Sequence, residues 1–76
     1  MQISDVIENL NKRIKENKDV VGQLSVELES IRKQFTAADT PSKAPLAAKI
    51  MIVKDRIVFH RAVILAYQDL LQEITK

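Results

Sequence analysis

Ile50-Met51-Ile52-Val53-Lys54-Asp55-Arg56-Ile57-Val58-Phe59-His60-Arg61-Ala62-Val63-Ile64-Leu65-Ala66-Tyr67 decides the fold, because no single neighbouring helix can cover its apolar groups. A 4-3 ladder, the spacing that packs one helix along another, runs through it and past both ends. Its rungs are Leu46, Ile50, Val53, Ile57, His60, Ile64, Tyr67, Leu71 and Ile74, with His60 the one polar member. At about 100° per residue, Met51, Ile52, Val58, Phe59, Ala62, Val63, Leu65, Ala66 and Leu70 lie off this ladder and spread around most of the circumference. A helix that is apolar on nearly all sides is ordinarily a buried one.

The partner for the ladder lies upstream. With Ile7 at heptad position a, the a positions are Ile7, Ile14, Val21, Leu28 and Phe35, and the d positions are Ile3, Leu10, Asn17, Leu24 and Ile31. Only Asn17 interrupts them. Ser4 is a candidate N-cap, Asp5 and Glu8 suit the positive end of the helix dipole, and Arg32 and Lys33 suit its negative end. These signals predict a first helix over 5–35. Gly22 is its weak point: a tolerated glycine costs about 1 kcal/mol relative to alanine, while a required one would admit another backbone at close range.

Between the two patterns, Thr36-Ala37-Ala38-Asp39-Thr40-Pro41-Ser42-Lys43-Ala44-Pro45 holds both prolines and a cluster of turn-forming and capping residues. Proline disfavours helical geometry in the residue before it, so a loop is expected over 36–44, with Ser42 capping a second helix over 45–74. The fold class is therefore all-α: an antiparallel, coiled-coil-like two-helix hairpin forming one domain over 1–76. If Phe35 and Leu46 face each other, Leu24 meets Ile57, Val21 meets His60 and Asn17 meets Ile64. That places Asn17 and His60 on adjacent layers, as a hydrogen-bonded pair that sets the register of the helices.

A chain of 76 residues covers only about 60% of the surface that its unfolded form exposes. Chains this small commonly rely on disulfides, metals or oligomerisation, and with no cysteine and one histidine only the last is open here. The off-ladder arc of the second helix makes the same demand. Leaving Ile52, Phe59, Val63 and Leu70 wet forgoes about 1.5–3 kcal/mol each, comparable in sum with the stability of a small domain. A four-helix bundle of two hairpins, or a higher oligomer, is the expected assembly, with Met51, Ile52, Val58, Phe59, Ala62, Val63, Ala66 and Leu70 as the interface to a partner or a second copy.

Catalysis is not expected. A general base or nucleophile needs a positioned partner in a pocket, whereas His60 sits inside an apolar ladder and the acids fall on outward faces. One glycine precludes a glycine-rich phosphate loop. No second histidine or cysteine accompanies His60, so neither a metal nor another cofactor is expected. Lys12, Arg13, Lys15 and Lys18 alternate with Glu8, Glu16 and Asp19, the pattern of a solvated face with pairs such as Glu8 and Lys12. Lys49, Lys54, Arg56 and Arg61 enclose only Asp55 and could meet phosphates in an oligomer, but the net charge of +2 and the lack of interleaved aromatics speak against nucleic acid.

Residues 62–67, the longest apolar-rich run, fall far short of the roughly twenty residues that cross a bilayer, so no membrane partner is expected. Asp5 stands where a secretory leader would be basic, and the absence of cysteine suits a reducing compartment; the expected location is cytoplasmic. In size and helical pattern the chain resembles the small hairpin co-chaperones of bacterial type III secretion systems and the small inhibitory and scaffolding proteins of phages. That architectural likeness implies an adaptor, co-chaperone or regulatory and inhibitory subunit. The alternatives are a self-assembling structural homo-oligomer and, behind it, an oligomeric nucleic-acid- or nucleotide-binding protein.

Overall fold

The computed structural model describes residues 2–76. Two helices, α1 (Ile3–Ala37) and α2 (Thr40–Thr75), pack along their lengths into a hairpin measuring 57 × 16 × 15 Å. Among the described residues there is no strand. The core is a single seam. Leu10, Ile14, Leu24, Leu28 and Ile31 of α1 and Val53, Ile57 and Ile64 of α2 are its buried members, and all belong to the two 4-3 ladders. Its centre is the cluster of Leu24, Leu28, Ile31, Val53 and Ile57, flanked by half-buried Val20, Val21, Leu46 and Ile50. Ile3, at the open end of the hairpin, is 66% exposed although it occupies a d position.

The turn is much tighter than the sequence predicts. Only Ala38 and Asp39 lie between the helices, so the expected loop over 36–44 is instead helix at both ends, and the bounds 5–35 and 45–74 each extend outward. The reason lies in where the prolines fall. Pro41 occupies the first turn of α2, where a backbone N–H has no intrahelical acceptor to lose. Pro45 is one turn further in and forfeits one backbone bond, that to the carbonyl of Pro41, on an exposed surface where water can replace it.

The caps differ accordingly. Asp39, not Ser42, caps α2: its carboxylate accepts the Ser42 amide at 3.3 Å, and its backbone carbonyl accepts the same amide at 3.1 Å. Hydrogen bonds from the side chain and then the amide of Ser42 hold the Asp39 carboxyl below its ordinary value. At the start of α1, Gln2 is the extended residue and offers no side-chain bond, while Ser4 lies inside the helix. Arg32 and Lys33 fall short of the last turn of α1, because the helix continues to Ala37. Lys43 places its ammonium 5.1 Å from the centre of the Phe35 ring, which ties the two helices together beside the turn.

Gly22 stands in open helix. A Cβ added there meets nothing within 4 Å, so no backbone of this chain uses the space.

Candidate interaction surface

The inner face of α2 is buried, yet its outer face keeps large apolar groups in water. Met51 is 66% exposed, Ile52 60%, Val58 65%, Phe59 62%, Leu65 61% and Leu70 47%. On α1 the corresponding exposed groups are only Ile3 and Val26, more than three heptads apart. Soluble proteins expose single apolar residues routinely; a run along one helix is the informative case.

Helical geometry divides this face into two strips. Ile52, Phe59, Val63, Ala66 and Leu70 follow a 3-4 spacing, each one residue behind a rung of the inner ladder and so about 100° around the helix from it. Met51, Val58 and Leu65 recur every seven residues on the opposite side of the inner ladder. Between the strips runs a row of Asp55, Ala62 and Asp69. The expected arc is thus two apolar strips parted by a polar row. Val63 is half-buried against the hairpin, whereas Ala62 and Ala66 are exposed. Leu65, absent from the expected interface, belongs with Met51 and Val58; its signal was the seven-residue repeat.

Each strip borders one of the two grooves between the helices. Ile52, with Lys49 and Arg56, faces Glu27, Ser30 and Gln34 of α1 across a groove of about 410 Å³. Val58, with Lys54 and Arg61, faces Ser25, Glu29 and Arg32 across one of about 420 Å³. Both are open troughs whose floor is the seam itself.

Asn17 and His60, the side chains that interrupt the two ladders, are joined by a hydrogen bond of 2.8 Å between His60 Nδ1 and Asn17 Oδ1. The direction of that bond follows from the other end of the amide. Asn17 Nδ2 donates to the carbonyl of Arg13 at 2.7 Å, which turns Oδ1 towards the imidazole, so Nδ1 of His60 carries the proton and donates. Both residues are half-buried, and no buried side-chain polar atom among the described residues lacks a partner. The His60 ring also meets Phe59 edge to face, with centroids 5.4 Å apart and planes at 78°. Through His60, a bond within the seam thus steadies the largest side chain of the outer face.

Charges on α1 are paired locally. Lys15 and Asp19 approach to 3.0 Å and Lys12 and Glu16 to 4.0 Å, all on exposed side chains; Lys12 therefore faces forward to Glu16 rather than back to Glu8. Such pairs contribute a few tenths of a kcal/mol each, at about the level of helix i,i+4 contacts. Among the described residues no three His, Cys, Asp or Glu side chains converge on a point where a metal could sit, and no helix is long and apolar enough to cross a membrane. Searched against protein-family models, curated proteins and solved structures, the chain matches none.

Proposed function

We propose that this chain is a non-enzymatic protein–protein interaction module, an adaptor, co-chaperone or regulatory subunit, that docks through the outer face of α2. The observation that carries this reading is the exposure of Met51, Ile52, Val58, Phe59, Leu65 and Leu70 on a helix whose opposite side already fills the core. Fully burying a side chain of this size contributes about 1.5–3 kcal/mol, so a partner covering a strip gains several kcal/mol towards the entropy of association. The edge-to-face seating of Phe59 on His60 supports it further, since a side chain already held in place loses less freedom on binding. A cysteine-free, reducing setting such as the cytoplasm suits the composition.

Replacing Phe59 and Val63 together by Asp tests the reading. The double variant should keep its helical circular dichroism and lose both the self-association and the protein partners of the parent chain. A variant that retains the parent's mass in solution and its bound proteins contradicts the assignment of this face. So does a parent chain that is monomeric and binds nothing in an extract of its source.

A further inference from the structure

The order of charges along the Ile52 strip selects an occupant for it. We propose that this strip packs against its own copy in a second chain, antiparallel, about a twofold axis at the level of Arg61; the proposal rests on the outer face of α2 being an interface. Extended by one rung at each end, the strip begins at Lys49 and finishes at Glu73. An axis at Arg61 sets Phe59 opposite Val63 and Ile52 opposite Leu70, each pair occurring twice, so that apolar layers meet apolar layers. Arg56 falls opposite Ala66, whose small side chain leaves room for the arginine methylenes while the guanidinium reaches water. The end layers join Lys49 of one chain to Glu73 of the other, also twice; both residues are exposed, and the Glu73 carboxylate, which accepts from Lys76 of its own chain at 2.9 Å through Oε1, keeps its second oxygen for Lys49.

Other arrangements lose this match. A parallel dimer sets Lys49 on Lys49, Arg56 on Arg56 and Glu73 on Glu73. Slipping the antiparallel pair by one heptad either sets Arg56 against Phe59 or, in the other direction, keeps Arg56 opposite Glu73 and Phe59 opposite Leu70 but leaves Ile52 and Lys49 beyond the end of the partner helix. The Met51 strip is a poorer surface for self-pairing, because Lys54 and Arg61 interleave with its apolar residues and would be pressed against them. Asp55 and Asp69 fall on the outer shoulder of the proposed seam, where solvent and salt screen them.

The chain has no cysteine, so crosslinking can read the arrangement directly. Full-length chains carrying Lys49→Cys and Glu73→Cys, distinguishable by mass, are mixed and mildly oxidised, and wild-type mass is followed by light scattering. The proposal expects a mixed disulfide between the two variants and none within either alone, since like residues then lie about 36 Å apart along the helices. Lys49→Glu should weaken the dimer about tenfold, and adding Glu73→Lys to the same chain should restore it. Disulfides within each variant alone would mean a parallel dimer, and a dimeric mass without a mixed disulfide would mean a different face; either overturns the proposal. A wild-type chain that stays monomeric overturns it too, while the docking face itself would survive if the Phe59 and Val63 double variant still lost a protein partner.

Discussion

The two helices are nearly equal in length and share one seam, yet they differ in what they leave over. α1 puts its apolar residues into the seam and covers the rest with polar and charged groups, two pairs of which meet between Lys12 and Asp19, so that its one large apolar side chain in water away from the open end is Val26. α2 fills the same seam and then carries two further apolar strips. A hairpin needs only the first kind of helix. The second kind leaves apolar surface that the hairpin itself does not cover, and the proposed contact on α2 rests on that surplus.

Substitutions can break this asymmetry at several depths. The largest effect belongs to the shared seam: Leu24→Ala should cost about 2–5 kcal/mol, measured by urea denaturation, because Leu24 is only 4% exposed at the centre of the cluster. Next comes the polar rung. Asn17→Leu alone should cost about 1–2 kcal/mol, because it leaves the His60 donor unpartnered beside the seam, whereas Asn17→Leu with His60→Leu should recover that loss and leave partner or register choice looser. A double-mutant cycle that shows no coupling would mean that the 2.8 Å bond contributes nothing.

Gly22→Ala should raise stability by about 1 kcal/mol, since the added methyl meets open space and an exposed helix interior favours alanine. If the same substitution disrupts an assembled state, a partner backbone occupies that space, and α1 is not as self-sufficient as the contrast with α2 implies. The smallest effect is at the turn. The Asp39 carboxyl titrates below its ordinary value in the folded chain, so its capping contribution is fully present above the unfolded value near 3.8 and disappears as pH falls through the lower folded value. Asp39→Ala should lower the melting temperature by a few degrees at neutral pH and change little in strong acid, which thermal melts at both pH values would show.

The ladders were legible in the sequence because a 3.5-residue repeat projects onto one helix face whatever its neighbours do, and it carried Leu10, Ile14, Leu24, Leu28, Ile31, Val53, Ile57 and Ile64 to the core. The surplus on α2 was legible for the same reason. The turn was not. Pro41 and Pro45 read as helix breakers, but near the N-terminus of a helix proline gives up little, and the side chain of Asp39 can start α2 immediately after Ala38. The division of the outer face was also missed. Counting apolar residues around the circumference merges the strips, whereas the positions of Asp55 and Asp69 part them, and Leu65 was left out of the expected interface although it continues the repeat of Met51 and Val58.

The central claim is that α2, and not α1, carries the contact surface, and the most direct test compares Phe59→Asp with Val26→Asp. Both side chains are largely exposed, at 62% and 73%, and neither belongs to the buried core, so circular dichroism of each variant should match the wild type. Light scattering over a range of protein concentrations should show wild-type and Val26→Asp chains heavier than a monomer, with Phe59→Asp reduced to monomer mass. A Phe59→Asp chain that keeps the wild-type mass, or a Val26→Asp chain that loses it, would contradict the claim.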